Sequence, residues 1–208
     1  MSAVEARAQE ATEFPAVARE LPSGRSTAWW GMVMLITTEA TFFAVLLASN
    51  FYLQFAGGGP WPPGGIEHPK LVKPLIMTAL LVPSSIPMAW GERQIRKGHQ
   101  GRTAVGMGLA FCMGTAFLML QGTEYAEKLQ EFTLRTNAYG SLFYGTTGFH
   151  GLHVLVGLVM MAFLLVGLAR RRFSAERWGR VALVALYWHF VDAVWVFILF
   201  TFYLSPHL

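Results

Sequence analysis

Two carboxylic acids stand alone inside long uncharged stretches. Glu39 is the only formal charge from Ala28 to Ala56, and Asp192 the only one from Val181 to Leu204. A charged group near the centre of a membrane helix costs about 2.5 to 3.5 kcal/mol on insertion scales, so each acid needs a reason to be there. One reading is proton handling. The other is a hydrogen-bonded or protonated acid that fixes helix packing, the commoner use of buried polar groups in membranes. Counted from the starts of their stretches at ~1.5 Å per residue, both acids lie roughly 15 Å deep.

Three histidines accompany them. His150 and His153, in GFHGLH, are three apart and share a helix face, and His189 precedes Asp192 by three. Such pairs invite a metal or haem reading. That chemistry needs axial groups facing each other from different helices, and no HExxH, CxxCH or carboxylate-rich set accompanies these residues. They read instead as structural polar groups, with His153 expected to meet Asp192 or His189 across helices, since each would satisfy the other away from water. Cys112, the single cysteine, reads as core packing. No nucleophile elbow or phosphate-binding loop is present, so catalysis would have to come from a partner.

The elements that position these groups follow from composition. With 54% hydrophobic and 13% charged residues among 208, there is too little charge to clothe a soluble domain of this size, and a bilayer is the expected solvent. Nucleic acid is not an expected partner, because no groove-sized basic patch fits on such apolar helices. About 20 apolar residues cross a ~30 Å hydrocarbon core. The stretches that meet this requirement predict an all-α fold, a bundle of five transmembrane helices at roughly 29–55, 71–90, 103–123, 140–169 and 181–204. Residues 1–28 read as a charged, poorly ordered tail with no apolar signal segment, followed by a single membrane domain over 29–208.

Local chemistry marks the joints. Gly57 to Lys70 is too rich in Gly and Pro for a helix or central strand. Pro83 and Pro87 each remove a backbone donor from the second helix, so a kink is expected, with neighbouring helices or Ser84 and Ser85 covering the freed carbonyls. Gly106, Gly108, Cys112 and Gly114 offer small positions for close packing. Trp188 and Trp195, seven apart, predict a packing stripe, while Trp29, Trp30, Trp61, Trp90, Tyr125, Tyr139, Trp178 and Tyr203 read as interfacial anchors. Twelve of the sixteen Lys and Arg fall in the tail and in the loops after the second and fourth helices. That side is expected to be cytoplasmic, which puts the N-terminus inside and the C-terminus outside. Arg170, Arg171 and Arg172 add a candidate grip on lipid phosphate.

Several strings together carry a family likeness. TEATFFA in the first helix, WPPGGI in the first outer loop, AYGSLFYGTTGFHGLHVLVG through the fourth helix and YWHFVDAVW in the fifth, in this order, closely resemble subunit III of the haem-copper respiratory oxidases. The likeness spans about 29–203. It implies a subunit that is not itself catalytic and binds no haem or copper, packed in a bacterial inner membrane beside catalytic subunit I, with subunit II nearby and phospholipid bound. The haem and copper would sit in those partners. Some members have seven helices, and this chain resembles the shorter five-helix form. In the family this subunit supports proton uptake and protects the catalytic subunit during turnover. The resemblance sets Glu39 on the family's membrane-embedded acid and Glu124 where members carry an acid at the outer end of the helix. His150, His153, His189 and Asp192 fall in the signature strings.

Other readings are distinguishable. A subunit of a quinol oxidase, or one associated with nitric oxide reductase, shares the fold, and gene neighbours would separate them. A small proton channel using Glu39 and Asp192 needs a water-lined path, whereas no helix carries a polar stripe. A haem-binding cytochrome would show a Soret band when purified.

Overall fold

The computed structural model of the chain describes residues 26–57, 61–63, 66, 69–170 and 178–207. Five helices account for nearly all of them: α1 (Thr27–Ala56), α2 (Val72–Arg96), α3 (Gln100–Glu131), α4 (Ala138–Ala169) and α5 (Trp178–Leu199). Each is long and apolar enough to span a membrane, and no strand occurs among the described residues. After α5 the chain widens into a π-turn, Phe200–Leu204, and closes with a 3-10 turn, Ser205–His207.

The chain divides into two compact units, residues 1–35 and 36–208. In the first, described from Ser26, the serine hydroxyl caps the start of α1 by accepting from the Trp29 amide at 3.3 Å. The rings of Trp29 and Trp30 meet edge to face at 5.0 Å.

In the second unit α2 packs on α3, α3 on α4, α4 on α5, and α5 back on α2, so four helices close a ring. The short α2–α3 joint turns on Gly98, whose φ of 78° suits a residue without Cβ. The amides of Lys97 and His99 both bond to the Gln94 carbonyl there. α4 begins at Asn137, whose side chain accepts from the Gly140 amide at 2.8 Å.

Small residues set the spacing of the ring. A Cβ on Gly106 would come within 2.5 Å of the Pro87 carbonyl oxygen, and one on Gly114 within 2.6 Å of the Trp188 ring. Trp188 also lies 2.7 Å from where a Gly157 Cβ would be. The indole of α5 therefore fills a slot between α3 and α4, and its N–H donates to Ser84 Oγ on α2 at 2.8 Å. One side chain thus ties all four helices together. Trp195, a turn pair further on, donates to Thr78 Oγ1 at 2.9 Å, so the expected Trp188/Trp195 stripe is present and both rings are fully buried.

Several local expectations are corrected. α2 continues six residues past Trp90 to Arg96, and α3 continues to Glu131, so the expected polar connection forms the last turns of α3. Charged residues extend these ends because their stems lie along apolar surface while the heads pair: Glu92 with Arg96 at 2.5 Å, Glu124 with Lys128 at 3.6 Å. Cys112 faces outward from α3 instead of packing in the core. Tyr139 and Tyr203 are buried among Phe143 and Phe202, so they are core residues, unlike the half-exposed Trp30, Trp90 and Trp178.

Candidate functional site

Glu39 projects from α1 toward α4. Its Oε2 lies 3.2 Å from His153 Nε2, with the carboxyl one-third exposed and the imidazole nearly covered. Phe43, one turn along α1, rests edge-on against the His153 ring at 5.1 Å, and Phe42 against Phe149 at 5.0 Å. The other ring nitrogen, Nδ1, is 2.7 Å from the Phe149 carbonyl. A carbonyl can only accept, so Nδ1 carries a hydrogen. The Glu39 contact then holds exactly one further proton, either on the carboxyl donating to Nε2 or on Nε2 donating to the carboxylate. The pair lies on the flank of the protein, with the carboxyl the more exposed of the two.

Asp192 and His189 project from α5 toward α2 and share one hydroxyl. Ser85 Oγ lies 2.7 Å from His189 Nδ1 and also bonds Asp192 Oδ2. Asp192 is buried, and its second oxygen has no hydrogen-bond partner among the described residues. This overturns the expected contact of His153 with Asp192 or His189. The direction differs from the expectation: His153 faces α1, whereas the Asp192 side of α5 faces α2. Ser84 and Ser85 are likewise engaged by α5, through Trp188, His189 and Asp192, in place of the proline-freed carbonyls.

His150 lies at the centre of the ring of helices. It stacks on Trp195 at 5.3 Å and meets Phe117 edge-on at 5.7 Å, and neither ring nitrogen has a hydrogen-bond partner among the described residues. Glu124 sits buried at the other end of α3 against Lys128, whose ammonium lies 5.4 Å from the Phe143 ring. Nearby Lys73 pairs with Glu127 at 2.5 Å. These residues and Lys70 and Glu131 line a cleft of about 320 Å³. Arg170 ends α4 and is exposed, while Arg171 and Arg172 lie outside the described residues. No three His, Cys, Asp or Glu side chains among the described residues are placed to hold a metal ion.

Sequence reasoning missed the hydroxyl partners. Thr78, Ser84 and Ser85 make the α2 side of the seam, and Thr147 bonds Tyr125 at 2.6 Å while its carbonyl accepts from Gln121 at 2.8 Å. The available signal was the recurrence of hydroxyl residues along α2, Thr78 opposite Trp195 and Ser84 opposite Trp188.

Five membrane-length helices, with two sets of acid and imidazole set among them, define a multi-pass membrane protein. Residues 20–206 match the family described as cytochrome c oxidase subunit III, and the chain belongs to that family. The cytochrome c oxidase subunit 3 proteins of Oncorhynchus mykiss and Oncorhynchus clarkii are each 36% identical over 179 residues, which is 84% of this chain and 68% of theirs. That of Gadus morhua is 35% identical over the same length. Membership in this family implies a complex with other oxidase subunits.

Proposed function

We propose that this chain is a non-catalytic subunit of a haem-copper terminal oxidase in a bacterial plasma membrane, packed beside catalytic subunit I and near subunit II. It stabilises the catalytic subunit and supports proton uptake while oxygen is reduced with electrons from cytochrome c. The observation that carries this reading is the family match over residues 20–206. The N-terminus lies on the cytoplasmic side, where the basic loops gather, and the C-terminus outside.

The embedded acids take two parts in this reading. Glu39, half-open on the flank, holds the proton it shares with His153 where a neighbouring subunit can feel it. Asp192 is the enclosed proton-binding acid of the pair. Glu124, His150 and His189 serve packing, and Arg170, with Arg171 and Arg172, binds phospholipid head groups. Haem and copper belong to the partner chains. In support, both nitrogens of His153 and one of His189 are already hydrogen-bonded, and Trp195 and Phe117 wall in His150.

Purification of the complex in mild detergent, with mass spectrometry of co-purifying chains and analysis of metals, tests the reading. The expected result is recovery with a large redox subunit that carries the haem and copper. Isolation of this chain alone with its own Soret band would overturn it.

A further inference from the structure

A polar line follows one flank of the α2–α5 seam. Ser85 and Glu92 are seven apart on α2, hence on one face and ~10.5 Å apart along the axis. Ser85 holds His189 Nδ1 at 2.7 Å on one side and Asp192 Oδ2 on the other. Glu92 stands two turns from Ser85 toward the end of α2 and accepts from Arg96 Nη2 at 2.5 Å. The Arg96 guanidinium in turn lies 4.1 Å over the ring of Trp178, the first residue of α5. The line thus starts where α2 ends and α5 begins, at the face that bears Arg93, Arg96, Lys97 and Arg102, and it stops at Asp192. Its burial closes the inner end. Glu92, with its side chain 20% exposed, opens the outer one.

We propose that Asp192 is a dead-end proton store, filled and emptied from the membrane face at the end of α2 through Ser85 and His189, with Glu92 at the mouth. The proposal rests on the reading of Asp192 as a proton-binding acid. A hydroxyl has one hydrogen, so Ser85 must donate to one neighbour and accept from the other. In the filled state Asp192 Oδ2–H donates to Ser85, and Ser85 donates to His189 Nδ1, while Nε2 carries the ring's hydrogen. Emptying shifts the Ser85 hydrogen to Nδ1 and the Asp192 hydrogen to Ser85, leaving a carboxylate and an imidazolium. The imidazolium then releases its Nε2 proton toward Glu92 through intervening water. Filling runs the same steps backward, with one proton taken up at Nε2 and one delivered to Asp192. No other reagent is needed.

Infrared difference spectroscopy of the purified oxidase complex in H2O and D2O tests this. Asp192→Asn should abolish one carboxylic-acid C=O band, which assigns it. In Ser85→Ala and Glu92→Gln that band should remain while its hydrogen–deuterium exchange slows by about a hundredfold, the scale of a lost positioned proton-transfer group. Ser84→Ala, which removes the Trp188 bond from the same turn, should leave the rate unchanged. If no band disappears in Asp192→Asn, the reading of Asp192 as a proton-binding acid fails and the store with it. A band present but exchanging at the parental rate in Ser85→Ala or Glu92→Gln overturns the relay alone. Equal slowing in Ser84→Ala would also overturn it, by tracing the effect to loosened packing.

Discussion

The two places where an acid meets an imidazole are built differently. Along the α2–α5 seam the polar contacts are three in a row: Thr78 with Trp195, Ser84 with Trp188, and Ser85 with His189 and Asp192. Each lies beside buried aromatic surface. Where α1 meets α4, Glu39 contacts His153 among a few aromatic rings, and the buried residues of α1 are Phe43 and Asn50. Hydrocarbon provides no hydrophobic drive for helices to associate, so close packing and interhelical hydrogen bonds must do it. The seam has both and is a structural joint. The α1–α4 flank has less of both, so its acid–imidazole contact does less to hold the helices together.

Breaking the joint should therefore cost far more than breaking the flank. The largest effect is expected next to the seam, where Gly106 of α3 meets the Pro87 backbone oxygen of α2, which cannot swing aside. Gly106→Leu must push α2 off α3, at more than the ~3 kcal/mol of ordinary overpacking. Loss of the chain from the membrane fraction is the expected outcome, and parental abundance would contradict it.

Trp188→Ala comes next. It empties the slot between Gly114 and Gly157 and leaves Ser84 without its donor, a loss of about 3 to 5 kcal/mol by analogy with large-to-small core changes. Denaturation followed in detergent, by tryptophan fluorescence or resistance to sodium dodecyl sulfate, measures it. Thr78→Val tests the same joint more finely, since it keeps the shape and removes the hydroxyl that accepts from Trp195 and donates to the Pro74 carbonyl within α2. Membrane hydrogen bonds average about 0.6 kcal/mol, so a small drop in midpoint is expected. A drop as large as that of Trp188→Ala would show that the hydrogen bonds, and not the packed rings, dominate the seam.

How much of this was readable from residues alone depended on what kind of information each feature needed. Five spans followed from apolar length, because hydrocarbon leaves a chain little alternative to helix. Glu39 and Asp192 stood out because a charge in an apolar run is costly anywhere in it. Their partners did not, since a helix sequence gives depth along the axis but not which neighbour lies at each angle around it. That is why His153 was matched to α5 when it faces α1, and why Cys112 was placed in the core when it faces out. Helix ends were missed for a related reason: Glu124, Lys128 and Arg96 look like loop until their pairing along the helix is seen. Tyr139 and Tyr203 look like anchors until the aromatic cluster around Phe143 encloses them.

The smallest effect on folding, and the sharpest test of the comparison, is expected at Glu39. Glu39→Gln keeps the shape and can still hydrogen-bond His153, yet it cannot give up or take up the shared proton. An acid–imidazole contact whose carboxyl is one-third exposed contributes at most about 1 kcal/mol, and α1 has little buried surface that depends on it, so the unfolding midpoint should barely move. The effect should appear instead in the assembled oxidase, as a changed rate of proton uptake or a shorter active lifetime during turnover, measured by stopped-flow pH indicators and by oxygen consumption over time. His153→Gln should follow the same pattern, because it removes the other holder of that proton. If both variants lower the midpoint as far as Trp188→Ala while uptake and lifetime stay parental, the α1–α4 contact is a joint like the seam, and the distinction between the two regions is lost.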